Sequence, residues 1–178
     1  MLSFIIILVI YLVILSAAYA AWSAAPWVPT FKNDVDRILK LAVIQPGQKI
    51  YDLGCGDGRI LFSAAKQGAI AEGFEISLLP YCISLIRSRF QKIGRIKVSL
   101  RDFWLQDLSD ADIVYCFLMP KVCAKLKLKF EKELKNGAKV ITHSWPINGW
   151  DPVEINTSEG RATLYLYRIS RNNIIQGK

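Results

Sequence analysis

Lys49-Ile-Tyr-Asp-Leu-Gly-Cys-Gly-Asp-Gly-Arg-Ile60 joins a short apolar strand to a helix through glycines at alternate positions, and its reading decides the fold. Gly54, Gly56 and Gly58 lack a Cβ, so the backbone can turn sharply and bring its N–H and C=O groups within reach of a ligand. A dinucleotide-binding loop has the form G-x-G-x-x-G, with a third glycine at position 59. This chain has Arg59 there, and its glycine falls one place early. Asp52 and Asp57 bracket the turn and would repel a pyrophosphate brought to the following helix N-terminus. A cationic ligand suits the turn better. The plain alternative is a glycine turn that only links strand to helix, and the loop alone does not separate the two.

Residues further on do. Ala69-Ile-Ala-Glu-Gly-Phe-Glu75 reads as a second strand ending in a carboxylate, close to the roughly 20-residue offset from the turn expected of a ribose-hydroxyl acceptor. The two oxygens of an ionised carboxylate match two neighbouring hydroxyl donors. S-adenosylmethionine carries a sulfonium and an α-ammonium beside an adenosine, so carboxylates at strand ends attract it where they repel a diphosphate.

Asp52-Leu-Gly-Cys-Gly-Asp-Gly58 resembles motif I of the class I S-adenosylmethionine-dependent methyltransferases. The resemblance implies a cofactor site of Asp52, Gly54, Cys55, Gly56, Gly58 and Glu75. A third strand, Ile96-Lys-Val-Ser-Leu100, runs into Arg101-Asp-Phe-Trp104. There the family pattern implies Asp102 facing the adenine amine and Phe103 covering the ring. Their plain readings are a polar loop start and a core aromatic.

With 178 residues and 52% hydrophobic composition the chain has room for one domain with a sizeable core. Phe4 to Ala25 is a nearly unbroken apolar run, the first charged side chain is Lys32, and about 20 apolar residues cross a bilayer as helix. This predicts a membrane anchor over 1–25, a linker and packing helix over 26–45, and a methyltransferase domain over 46–178. A cleaved signal peptide is the rival, from Ala18-Tyr-Ala20, but no basic segment precedes the run. Trp22 and Trp27 fall where interfacial aromatics sit, and Lys32, Arg37 and Lys40 follow, so a single-pass anchor with a cytoplasmic domain is expected. Cys55, Cys82, Cys116 and Cys123 show neither a disulfide framework nor metal-ligand spacing, so core thiols and no metal are expected.

Val35, Ile38, Leu39 and Ala42 recur at helical spacing and predict a helix at the sheet edge, stopped by Gln45-Pro-Gly47. Beyond it the chain alternates. Helices are expected over 59–67, over 78–92 with a stop at Gly94, and over 121–134. Strands are expected to end at Leu53, Glu75, Leu100, Phe117 and Ser144. Such alternation predicts an α/β, Rossmann-like sheet, mostly parallel, closed by an antiparallel hairpin from 152–155 and 162–169. Asp52, Glu75 and Asp102 then share one rim, where open α/β sheets bind ligands. Trp145 to Asp151 is too short for a helix between the fifth and sixth strands, which leaves one sheet face partly uncovered unless the N-terminal helix packs there.

The order of an apolar N-terminus, Pro26-Trp-Val-Pro-Thr30, motif I, Phe74-Glu75, Asp102-Phe-Trp104 and Phe117-Leu-Met-Pro120 resembles small membrane-anchored protein-lysine methyltransferases. That group modifies the ATP synthase c subunit and the adenine nucleotide translocase. The resemblance implies a protein lysine as acceptor and the lipid bilayer as partner. Segments 117–120 and 142–146 are expected to wall the acceptor pocket. His143, the one histidine, either accepts a proton there or is structural, and Trp104, Trp145 and Trp150 either bound an ammonium or belong to the core. No general base stands out. The formal charge of +8 admits anionic lipid or nucleic acid, and the anchor argues against nucleic acid. Competing readings are transfer to a small molecule, lipid or RNA, and an inactive nucleotide-binding membrane protein.

Overall fold

Seven strands form one sheet in the order β3-β2-β1-β4-β5-β7-β6 in the computed structural model, which describes residues 1–91 and 95–170. The strands are β1 (Lys49–Leu53), β2 (Ile70–Glu75), β3 (Arg95–Leu100), β4 (Ile113–Cys116), β5 (Lys139–His143), β6 (Glu154–Asn156) and β7 (Leu164–Arg168). The helices are α1 (Leu2–Ser23), α2 (Lys32–Ala42), α3 (Arg59–Lys66), α4 (Leu78–Phe90) and α5 (Pro120–Glu133). β3, β2, β1, β4 and β5 are parallel, and β7 and β6 close the sheet antiparallel. The Rossmann-like sheet with its closing hairpin is therefore present as expected. The expected end of α4, at Lys92 and Gly94, lies outside the described residues.

β1 and β4 are the central pair and are buried almost throughout, because helices cover both faces of most of their length. On one face Ile50, Ile113 and Ile141 meet Ile38 and Ala42 of α2 and Ile60 and Leu61 of α3. On the other, Leu53, Val114 and Val140 meet Val122, Leu126 and Phe130 of α5, the four-residue apolar spacing read from the sequence. The sequence places α2 at the sheet edge, but it packs on α3, β5 and β7 instead. Arg37 fixes it there. Its guanidinium pairs with buried Asp34 at 2.8 Å and donates to Asn156 Oδ1 at 2.9 Å, tying α2 to the closing hairpin.

The face carrying α5 lacks a helix in two places. Between β5 and β6, Ile147 and Trp150 turn inward in its stead, with the Trp150 ring 5.6 Å from Tyr167. Between β3 and β4 the chain makes only a 3-10 turn, Phe103–Leu105. There β2 and β3 and the first residue of β1 carry ion pairs rather than apolar side chains: Lys97 with Glu72, and Lys49 with Asp110 of the loop before β4 at 2.6 Å. Charge on an uncovered strand face keeps it soluble without a covering layer.

α1 is long and apolar enough to cross a membrane by length and composition, and its N-terminal half is exposed almost throughout. Its C-terminal half is docked. Ser16 Oγ accepts the Leu78 N–H at 3.1 Å, Ala20 and Ala24 are buried, and Lys121 Nζ donates to the Trp22 carbonyl at 3.1 Å. Small residues at this spacing let the helix backbone approach closely.

Candidate cofactor site

The sheet order reverses between β2 and β4 around β1, and the crevice beyond the C-terminal ends of those strands is where open α/β sheets bind ligands. A cavity opens there, lined by Asp52, Gly54, Cys55, Gly56, Phe74, Glu75 and Phe103 from the sheet side. Six of the eight residues expected at the cofactor thus meet in one cavity. Gly58 and Asp102 do not line it. Gly58 adopts φ +77° at the start of α3, where a Cβ would lie 2.8 Å from Phe62 and 3.3 Å from Ser84, so it serves close helix packing. Asp102 Oδ1 accepts the Trp104 N–H at 2.9 Å and caps the 3-10 turn.

Asp52 is 2% exposed, and among the described residues no hydrogen bond reaches its carboxylate. Burial first, then the neighbouring Glu75 and Asp57 charges, push its pKa well above the ordinary carboxylate range. Burial makes the charged carboxylate costly, and a cation in the cavity that Asp52 lines would offset that cost. Glu75 is held differently. Its Oε2 accepts the Gly56 N–H at 2.8 Å, and Oε1 accepts Ile76 and Ser77 N–H at 2.9 and 2.8 Å. Burial raises its pKa, and those three N–H groups partly offset the rise. A carboxylate has about four acceptor positions, so Oε2 keeps capacity for a hydroxyl donor.

Asp57 carries no comparable free charge. Arg59 Nη2 lies 2.6 Å and Arg87 Nη1 2.7 Å from its carboxylate. Burial raises its pKa, but the two guanidinium groups outweigh that and hold it below the usual value. The third-glycine position of a dinucleotide loop is thus used for a charge clamp. Arg59 Nη1 also donates to the Thr30 carbonyl, which fastens the linker to the glycine turn.

The other side of the cavity comes from residues that the sequence pattern did not mark as part of the site. Ala20, Ala24 and Ala25 at the end of α1, and the linker from Pro26 to Thr30, form its roof. Trp27 leans on the turn so closely that a Cβ on Gly56 would lie 2.8 Å from its Nε1. The glycine is therefore required here for close approach as well as for its φ of +54°. The signal for this roof was a tryptophan flanked by Pro26 and Pro29, which fix an extended backbone.

A second cavity, lined by Phe31, Asp34, Phe117, His143 and Arg161, shares Val28, Pro29, Thr30 and Phe117 with the first. Its inner wall is a hydrogen-bonded chain. Tyr115 Oη meets His143 Nδ1 at 2.9 Å and Thr30 Oγ1 at 3.5 Å, and Phe117 stacks on the imidazole at 4.1 Å. Burial lowers the His143 pKa to about 4, so the ring is neutral at neutral pH. Of the expected acceptor walls, Phe117 and His143 line this cavity and Leu118 lines the first. Trp104 and Trp150 are both half-buried against the core, and Trp104 also borders an outer cleft with Trp22, Lys121 and Lys125. The cysteine expectation fails at one position: Cys55, Cys116 and Cys123 are buried thiols, but Cys82 is exposed on α4. No metal-binding cluster occurs among the described residues.

Comparison with known proteins converges on the same chemistry. The model of the ANTKMT methyltransferase domain matches residues 52–154. A protein-lysine N-methyltransferase of Saccharolobus islandicus (strain REY15A) is 37% identical over 153 residues, covering 83% of this chain and 95% of that protein. The adenine nucleotide translocase lysine N-methyltransferase of Mus musculus is 32% identical over 148 residues, which is 81% of this chain but 63% of the mouse protein. Among solved structures, an RNA methyltransferase from Salinibacter ruber in complex with S-adenosyl-L-homocysteine superposes with a TM-score of 0.76 at 33% identity, covering 80% of this chain and 94% of that one.

Proposed function

Because the chain belongs to the ANTKMT methyltransferase family and is an S-adenosylmethionine-dependent methyltransferase, we propose that it is held in a membrane by α1 and methylates a lysine side chain of a protein at that membrane. The observation that carries this is the junction of the two cavities at Thr30 and Phe117: a carboxylate-lined chamber for a cationic donor meets an aromatic one that suits an alkylamine.

Bound S-adenosylmethionine supplies a methyl group on sulfonium, open to in-line displacement by an amine. The chain's own residues do the holding. Asp52 attracts the α-ammonium, Glu75 Oε2 accepts from the ribose, and Phe103 borders the adenine. Phe117 and Phe31 exclude water along the acceptor's methylenes. A lysine must react as the neutral amine, and with a pKa near 10.4 its deprotonation at pH 7 costs about 4.6 kcal/mol in water. Desolvation against Phe31 and Phe117 lowers that cost by disfavouring the ammonium form. Neutral His143, held through Nδ1 by Tyr115, adds no positive charge to that of Arg161 in the same cavity. The basic segment after α1 supports a cytoplasmic domain.

The test is incubation of the full chain with membranes and methyl-labelled cofactor. Label on lysine in a protein band is expected. A second reading, RNA as acceptor, draws on the +8 charge and on the stated substrate of the Salinibacter ruber neighbour, and label in RNA would favour it. Label in lipid or a small molecule would overturn both. Glu75→Gln is expected to weaken cofactor binding at least tenfold by calorimetry while circular dichroism stays unchanged, and unaltered binding would remove the ribose role.

A further inference from the structure

α4 is amphipathic the wrong way round. With successive residues about 100° apart, Leu79, Cys82, Ile83, Ile86 and Phe90 fall on one stripe, flanked by Arg89 on one side and on the other by Arg87, whose guanidinium is turned to Asp57. The side facing the domain is small, with Pro80 and Ser84 buried. The apolar stripe faces outward: Leu79 is 50%, Ile86 58% and Phe90 83% exposed. A helix on a water-exposed surface carries the reverse pattern, and an outward apolar stripe marks an interaction face.

The length of α1 says what covers it. Its 22 residues at about 1.5 Å each span roughly 33 Å, against about 30 Å of bilayer hydrocarbon, so nearly the whole helix is needed to cross. Yet its C-terminal part is already docked on the domain, with Ser16 Oγ on the Leu78 N–H at the start of α4. The free portion, Leu2 to Leu15, reaches only about 21 Å. For α1 to cross, the start of α4 must be carried down to the level of the headgroups, where an apolar stripe with Arg89 on its flank is what the surroundings favour. Trp22 at the last turn of α1, and Lys121 of α5 bonded to its carbonyl, then sit at the outer edge of that layer.

We propose that α4 lies in the headgroup layer of an anionic bilayer with the Leu79–Cys82–Ile86–Phe90 stripe toward the acyl chains, as a second membrane contact beside α1. The inference rests on the reading of α1 as membrane-spanning. Ser77 begins α4 and lines the cofactor cavity, so the contact would hold that cavity at the bilayer surface and restrict acceptors to lysines near the headgroups.

Cys82 is a natural probe, because it is the exposed cysteine and lies in the stripe. The full chain is reconstituted in vesicles containing phosphatidylserine, and thiol labelling by a membrane-impermeant maleimide is timed. The reference is Leu128→Cys in a Cys82→Ala background, at a 69% exposed position on α5. Cys82 is expected to react at least tenfold more slowly than the reference thiol, and Phe90→Glu with Ile86→Glu is expected to restore most of the rate. Both side chains are exposed, so these changes leave the core intact. If the chain floats with the vesicles and Cys82 reacts as fast as the reference, this proposal falls while the anchor stands. If the chain does not float, the anchor reading falls and takes the proposal with it. Protection that vanishes on dilution to one chain per vesicle assigns the stripe to a second copy and also overturns it.

Discussion

Asp52 is the residue where stability and function pull apart. Its carboxylate is buried and lies near the Glu75 and Asp57 charges, so its ionised form weakens the empty fold. A folded-state pKa raised above the unfolded value gives stability that is present at low pH and lost as pH rises. Asp52→Asn is therefore expected to raise the melting temperature of the cofactor-free protein by a few degrees, about 1 kcal/mol, while cutting S-adenosylmethionine affinity at least tenfold. Calorimetry with and without cofactor checks both; a lower melting temperature would refute the account. His143 has the opposite sign. Its folded pKa of about 4 lies below the unfolded 6.5, so its contribution is present above pH 6.5 and lost as pH falls toward 4. The expected loss is at most about 1.4 kcal/mol per pH unit, read by denaturant titration, and His143→Gln should flatten that slope. At this scale the sequence showed residue type and order, and the structure brings Asp52, Glu75 and the glycine turn together. It did not show that Arg59 and Arg87 neutralise Asp57, because Arg87 comes from another helix. Nor did it show that Asp102 caps its own turn, since a strand-end carboxylate reads the same in either role.

At the scale of elements, periodicity carried most of the fold. α5 and the central strands follow it because their apolar side chains face a core. It found α4 without showing that the helix turns its apolar stripe outward, and it found α2 but not its location, which packing rather than patterning chooses. The docking of α1 is the least legible feature. An apolar run announces a span, but the small-residue line of Ser16, Ala20 and Ala24 within it is what seats the helix on the cofactor cavity. Ala20→Trp inserts bulk into that seam without changing the apolar character of the helix. It is expected to lower cofactor affinity several-fold in equilibrium binding while membrane flotation stays intact. Unchanged affinity would mean that the roof contributes nothing to the site.

For the molecule as a whole, topology was readable because strand–helix alternation leaves few arrangements once crossovers are right-handed. The roof was not, since it joins residues 20–30 to the glycine turn and to Leu118 and Phe117 across most of the chain. Its attachment through Arg59 and the Thr30 carbonyl has a practical side. Trimming the chain at residue 25 to obtain a soluble enzyme would remove Ala20, Ala24 and Ala25 from the chamber wall and leave Trp27 hanging from a free end. Such a fragment would report on a different catalyst, one whose donor chamber stands open to water, and inhibitors selected against it would be fitted to a shape the intact protein does not present.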